Sequence, residues 1–239
     1  MAGNFDYTNR LWFSRKPGAA NAYIGDVGQL FYHPDTGEIR ISDGVTPHGH
    51  PIFTQTTSTG NVTLSLYASN GTPTLAPLAM GNNSTAMGNG AISYAAGSIT
   101  QSAGAFSASG DAQAGSYVFR TITVNNAWKE MFLDGAAQQL IIPVRATVSF
   151  TVKIIARRTD SGNEGGIYEI KGGVDKGTFN SSIALIGKIN KTVVSEDNPI
   201  WDVNVDVDTT AGALRIWVKG ETGKTIRWVA HLETVEVRD

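Results

Sequence analysis

From Gly44 to Gly110 the chain runs 67 residues without one Asp, Glu, Lys or Arg. A surface that long normally carries charge, because ionised side chains keep a monomer soluble and apart from its neighbours. The stretch is no membrane span: it is full of Thr, Ser, Asn and Gly, with no apolar run near the roughly 20 residues a spanning helix needs. Uncharged, small and polar is the composition of backbone packed against backbone, which predicts a segment wound with copies of itself in an oligomer. From Ala79 to Gly115, 23 of 37 residues are Gly, Ala or Ser. A loose repeat shows there: AMG at 79–81 and 86–88, AAG at 95–97, SAG at 102–104 and ASG at 108–110. Its glycines return after 7, 9, 7 and 6 residues, too irregular for collagen and too short for helical-hairpin repeats. Such spacing suits short coils or strands turning at each glycine, with small residues crowded near an axis. The competing reading is a disordered Gly/Ser linker, which has no need of the recurring Met80, Met87, Ile92, Tyr94, Ile99 and Phe106.

The charged residues, 17% of a 239-residue chain, lie on either side of that segment, and the net charge is −2. That balance gives no basic footprint for nucleic acid or anionic lipid, so neither nucleic-acid binding nor membrane insertion is expected. With no cysteine there is no disulfide framework and no thiolate chemistry. The start, MAGNFDYTNRLWF, lacks the basic and apolar regions of a signal peptide, so synthesis in a cytoplasm is expected.

Three regions follow. Residues 1–53 read as a compact β unit, with Gly28–Tyr32 and Glu38–Ser42 as short strands around a His33-Pro-Asp-Thr-Gly37 turn and Asp43-Gly44 closing the second strand. Residues 54–115 are the low-charge middle. Residues 116–239 alternate strongly. Val148, Phe150, Val152 and Ile154 oppose Thr147, Ser149, Thr151 and Lys153; Trp201, Val203, Val205 and Val207 oppose Asp202, Asn204, Asp206 and Asp208; Ile226, Trp228, Ala230 and Leu232 form a third inward set. Period two broken by Asp/Gly/Asn/Pro turns predicts an antiparallel, jelly-roll-like β-sandwich of about eight to ten strands. The expected class is all-β.

These regions carry a family resemblance. GQLFYHPDTGEIRISDGVTPHGHPI resembles the hairpin near the start of many bacteriophage tail-fibre and phage hyaluronidase-like proteins, with His-Gly-His where a glycine pair is usual. The middle resembles the head repeats of trimeric bacterial adhesins and the shafts of phage fibres. The run from FLDG through EDNPIWDV to GALRIWVKGETGKTIRWVAHLETVEV resembles a C-terminal domain of phage fibre proteins. The resemblance implies a homotrimeric virion fibre: an N-terminal attachment domain binding other virion proteins, an intertwined trimeric shaft, and a receptor-binding tip contacting the host surface.

Several motifs invite chemistry. Gly220-Glu-Thr-Gly-Lys-Thr225 evokes a phosphate loop, but Val218 stands where the first glycine belongs and strands flank it, so it reads as a hairpin turn. Asp202, Asp206 and Asp208 fall on one strand face, where ion pairing with Arg215 and Lys219 is favoured over calcium or acid–base work. No serine-hydrolase or zinc-protease motif is present, and His231 sits mid-strand. His48-Gly-His50, if extended, points both imidazoles to one side, and three copies would give a metal six nitrogens; a plain surface loop is the alternative. No cofactor is otherwise expected. Trp201 and Trp228 read as core. Trp217 alternates to a polar face, and Trp128 follows Asn125-Asn126-Ala127 in a loop, where a ring can stack on sugar or meet another subunit.

Receptor contact is therefore expected on loops of the C-terminal domain: Asn125, Asn126 and Trp128; Asp160 and Asn163 in the 160–164 turn; Asn180 with Ser181. Three functions compete. One is a tail fibre binding a host-surface glycan; the second is a capsid, neck or baseplate decoration fibre without receptor; the third is a polysaccharide depolymerase. A non-catalytic chain is expected, because glycoside cleavage needs two placed carboxylates and the shaft has none before Asp111.

Overall fold

The computed structural model describes residues 12–13, 22–33, 38–51, 54–56, 61–64 and 75–239. The described part is all-β, with no α-helix among its elements and none long and apolar enough to cross a membrane. Near the N-terminus β1 (Trp12–Phe13), β2 (Leu30–His33), β3 (Glu38–Ile41) and β4 (His50–Pro51) make a four-stranded sheet in that order. The expected hairpin is the antiparallel β2–β3 pair, Leu30 facing Ile41 and His33 facing Glu38. Its turn at residues 34–37 lies outside the described residues, as does the side chain of Trp12. After β3 the chain bends where Asp43 Oδ1 accepts the amides of Val45 and Thr46 at 2.9 and 2.7 Å.

The low-charge middle contains β5 (Thr54–Thr56), β6 (Asn61–Leu64), β7 (Leu78–Ala79), β8 (Thr85–Gly88), β9 (Ile92–Ser93) and β10 (Ile99–Ser102). β7 pairs with β9 and β8 with β10, both parallel, Leu78 beside Ile92 and Thr85 beside Ile99. Each pairing joins residues 14 apart, so the chain winds a coil of two seven-residue halves. The repeat visible in the sequence is out of step with this period. Gly88 ends β8 and Gly81 follows β7 by two residues, whereas the turn position of successive halves is held, in left-handed conformation, by Asn83, Gly90 and Gly97, with φ of 58°, 76° and 64°. The nine-residue gap between Gly88 and Gly97 marks the glycine moving from one role to the other. A Cβ on Gly81 would lie 2.1 Å from the Ala95 carbonyl oxygen, and one on Gly88 2.0 Å from that of Ser102, each one full coil ahead. The interior is filled by Ala79, Ala86 and Ala91 and by buried Ser84, Ser93, Ser98 and Thr100. Their hydroxyls bond one another, Ser93 Oγ to Ser98 Oγ at 2.7 Å.

This coil closes its backbone ladder within one chain, as in Met80 N to Ser93 O and Thr85 N to Ser98 O at 2.8 Å. Winding together with other copies, expected from composition, is therefore not required to satisfy the backbone. The small residues meet an axis inside a single chain, while Met80, Ile99 and Phe106 stand exposed.

The remaining strands are β11 (Ala112–Thr123), β12 (Trp128–Met131), β13 (Leu140–Ile141), β14 (Ala146–Arg158), β15 (Gly165–Lys176), β16 (Ala184–Leu185), β17 (Asn190–Glu196), β18 (Asp202–Asp208), β19 (Ala213–Lys219) and β20 (Ile226–Arg238). One sheet runs β16-β15-β14-β20-β11 with β17 also on β15, and continues through β10, β8 and β6 into the coil. β11 thus spans the expected boundary at 115/116, its first residues paired with β10. A second sheet runs β12-β19-β13, with β18 on β19. The inward sets anticipated from alternation meet between these sheets: Phe150, Val152, Ile154, Val203, Val205, Ile226 and Leu232 belong to one buried cluster. Trp201 and Trp228 sit within it as an edge-to-face pair, ring centroids 5.9 Å apart, and Trp228 Nε1 donates to Thr123 Oγ1 at 2.9 Å. Val207 is only half-buried, at the end of its strand.

One local reading needs correction. Gly220–Thr225 is not a hairpin turn, because β19 pairs with β12, β13 and β18 while β20 pairs with β11 and β14. The segment carries the chain from one sheet to the other, and Lys224 ties it down through Glu164 and Glu221 at 2.8 and 2.6 Å.

Candidate functional site

The strand ends divide the receptor candidates between two opposite ends of the C-terminal domain. The ends of β11 and β14 and the start of β20 lie side by side, Thr123 facing Ile226 and Arg158 facing Ile226. This end carries Asn125, Asn126, Trp128, Asp160 and Asn163. The opposite end, where Ala146 faces Lys176 and Arg238, carries Asn180 and Ser181, in a short 3-10 turn, with Asn180 Nδ2 donating to Thr210 O at 3.2 Å. The seven residues therefore do not form one site.

At the first end several polar groups are already committed. Asn125 Oδ1 accepts the Ala127 amide at 3.0 Å, shaping its own turn. Asp160 pairs with Arg158 at 2.7 Å, and that bond holds its carboxyl down at about 2. Arg158 also reaches Glu164 at 2.9 Å, so Asp160, Arg158, Glu164, Lys224 and Glu221 form one chain of charges that fixes the tip. Trp128 is the first residue of β12 rather than a loop residue, opposite Lys219, and it is half exposed.

Its strand placement connects Trp128 to a face that alternation had only partly revealed. Residues two apart on a strand share a face, so Trp128 and Glu130 look outward together. Across β19 they meet Lys219 and Trp217, and across β18 Asp202 and Asn204. One step further Arg215 faces Asp206. The expected cross-strand ion pair is here: Arg215 Nε and Nη2 grip Asp206 at 2.8 and 2.9 Å. Trp217 Nε1 donates to the same carboxylate at 2.8 Å, and the Arg215 guanidinium lies 5.1 Å from the Trp217 ring centre. Asp202 departs from expectation by pairing with Lys191, at 2.7 Å, instead of Lys219.

Two carboxylates on this face are driven apart. Gln139 Nε2 donates to Glu130 Oε1 at 2.9 Å and to Asp208 Oδ2 at 3.2 Å, which keeps those oxygens within about 6 Å, the scale of a carboxylate pair serving one glycosidic bond. Burial raises the Glu130 carboxyl above its ordinary range. The Ala211 and Thr210 amides lower that of Asp208. Glu130 and Gln139 were not singled out from the sequence; Glu130 sits beside a residue read as loop, and a glutamine bridge leaves no pattern.

The His48-Gly-His50 geometry assumed for a metal is not realised. His48 and Gly49 have φ of 57° and 53°, so the segment is not extended and the imidazoles diverge. His48 Nδ1 contacts the Arg40 guanidinium, and His50 Nε2 lies 3.0 Å from Asp43. A guanidinium against one imidazole disfavours a cation there.

No family model matches the chain, and no curated protein matches it. Solved structures similar to it include two phage tailspike proteins. A tailspike protein, gp49, from Acinetobacter baumannii bacteriophage Fri1, described as a capsular polysaccharide depolymerase, aligns over 52% of this chain and 18% of its own, with 15% identity and a TM-score of 0.30. The tailspike protein of Acinetobacter baumannii phage AM24 aligns over 74% of this chain and 36% of its own, with 8% identity and a TM-score of 0.23. The chain thus spans about a fifth and a third of these structures. The expectation of a non-catalytic chain is corrected here: a protein similar to it is described as an enzyme, so absence of catalysis is not carried further. A likeness this slight assigns no reaction and no residue to this chain.

Proposed function

We propose that this chain is a bacteriophage tail protein of the virion, made in the host cytoplasm, a homotrimer that attaches to the host surface by holding a glycan on its C-terminal domain. The hairpin ending in DGVTP and the run resembling phage fibre tips support the virion assignment, with residues 1–53 gripping other virion proteins. The single observation that carries the glycan reading is the outer face of β12, β19 and β18. There Trp128 and Trp217 stand in adjoining rows with Glu130, Asn204 and Asp206. Indole rings stack on the C–H face of a sugar while carboxylate and amide groups take its hydroxyls. On this reading binding lies on a strand face instead of the loops favoured from sequence. Exposed Met80, Ile99 and Phe106 on the coil give three copies an apolar, uncharged surface on which to associate side by side. Light scattering of dilute protein should report three chains. On immobilised bacterial surface polysaccharides, Trp217→Ala and Trp128→Ala should each weaken binding at unchanged melting temperature; undiminished binding by both overturns the reading.

A second reading has its own observation. Glu130 and Asp208 are bridged by Gln139 and shifted in opposite directions, Glu130 toward keeping its proton and Asp208 toward losing it, the directions that an acid and a base require. On that reading the bound polysaccharide is also cut. Release of oligosaccharides by the wild type but not by Glu130→Gln tests it; no release from a polysaccharide that binds rejects it.

A further inference from the structure

On the outer face of the larger sheet, where β11 and β20 meet the loop after β12, lies a groove of about 430 Å³. Arg120, Lys129 and Arg227 line it. In register, Arg227 lies opposite Ile122 on β11 and opposite Arg157 on β14. Like charges directly opposite on neighbouring strands repel, yet no carboxylate among the described residues pairs with Arg120, Lys129, Arg157 or Arg227. The one acid at the rim, Asp134, is turned into its own loop, its Oδ1 accepting the amides of Ala136, Ala137 and Gln138 at 2.9 to 3.0 Å. Neighbouring cations behave otherwise: Arg158, Lys224 and Arg215 all hold carboxylates. Two of the groove cations are positioned by backbone, Arg120 Nη2 on Asp134 O at 2.7 Å and Lys129 Nζ on Ile122 O at 2.9 Å. Carbonyl contacts orient a cation without neutralising it.

We infer that this groove binds an acidic polysaccharide through its carboxylates, Arg120 and Arg227 supplying the forks and Lys129 a third charge. The inference rests on the glycan reading above and names the class of glycan. Arginine presents parallel N–H donors that match a carboxylate in two-point contact. Exposed Ile122 and Val229 between the cations offer aliphatic surface to the C–H faces of the sugar ring. Nucleic acid is the poorer fit, because the chain as a whole is net negative and strong backbone binding requires a longer track of phosphate contacts.

The test uses the full chain, titrated with polygalacturonate and with the same polymer after its carboxyls are reduced to neutral alcohols. Arg120→Gln combined with Arg227→Gln is compared with wild type, alongside Arg157→Gln, which relieves a repulsion and should leave the fold intact. The expected result is binding of the acidic polymer alone, weakened about tenfold or more in the double variant and measurably by Arg157→Gln. Equal binding of the neutral polymer, unchanged binding by all variants, displacement by an equal concentration of single-stranded oligonucleotide, or a changed oligomeric mass in the double variant overturns the inference. If neutral surface polysaccharides bind and Trp217→Ala weakens them while the arginine variants do nothing, the groove falls and the glycan reading stands. If no polysaccharide of either kind binds, both fall.

Discussion

The coil at 75–111 and the two-sheet domain that follows share a continuous sheet yet are held together by different means. In the domain, large side chains do the packing: Trp201, Trp228, Phe150 and Tyr168 are all buried. In the coil the interior is filled by small residues, Ala79, Ala86, Ala91, Ser84, Ser93, Ser98 and Thr100, and shape is dictated by how closely carbonyls approach. The first depends on area removed from water and the second on the absence of a Cβ. Substitutions should therefore hurt for opposite reasons, removal of atoms in the domain and addition of atoms in the coil.

The largest effect is expected where the domain loses most. Trp201→Ala should cost roughly 3–5 kcal/mol, because the ring is enclosed against Trp228, measured as a loss in urea unfolding. An unchanged midpoint would break the contrast from the domain side. Gly88→Ala adds one carbon at φ of 87° and 2.0 Å from Ser102 O. About 1–3 kcal/mol is expected from the backbone alone, with hydrogen exchange accelerated in the coil. Gly81→Ala, where φ is not left-handed but the approach is 2.1 Å, separates close contact from backbone strain.

The junction between the two regions supplies a pH test. Glu236, buried on the last strand, accepts from Tyr94 of the coil at 2.7 Å and from Gln113 at 3.3 Å. Arg238 Nε lies 2.8 Å from its other oxygen but spends its hydrogen on Gly110 O at 2.6 Å. Burial raises the Glu236 carboxyl above its ordinary value of 4.5. The folded protein therefore holds this proton more tightly than the unfolded chain. The stability it contributes is complete below 4.5 and is lost as pH rises through the folded value. Asp111 has the opposite sign. Amides of Ala108, Ser107 and Phe106 lower it to about 2, so its contribution is present in full above 3.8 and is lost as pH falls from there through about 2. Melting temperature against pH should show both slopes, and Glu236→Gln should remove only the upper one. The smallest effect is expected on the domain's outer face, where Asp206→Asn should change stability by about 1 kcal/mol or less; a larger loss would make the Arg215 pairing structural.

The domain was more legible than the coil for the same physical reason. Alternation of Val148 to Ile154 and of Ile226 to Leu232 is written by side chains that must be buried, so the inward set could be named from residues alone. The coil's period is written in backbone contacts, and AMG, AAG and SAG look alike whether the glycine ends a strand or makes a turn. Connections misled for a related reason: Gly220–Thr225 has turn chemistry, and turn chemistry does not say which sheet receives the next strand. The candidate site was half legible. Asp206, Arg215, Trp217 and Trp128 could be noticed singly, and the Asp206–Arg215 pair anticipated. Glu130, Gln139, Arg120, Lys129 and Arg227 gain meaning only from register across strands far apart in the chain.

The division of labour, with coil surfaces for copies and the domain's outer faces for ligand, is tested most directly by hydrogen exchange on the full chain with and without a bound surface polysaccharide. Added protection confined to the C-terminal domain, on β12, β18 and β19 and at the groove edge on β11 and β20, is the result this account predicts. Protection appearing instead in the coil or in the N-terminal sheet, with those five strands unchanged, would contradict it.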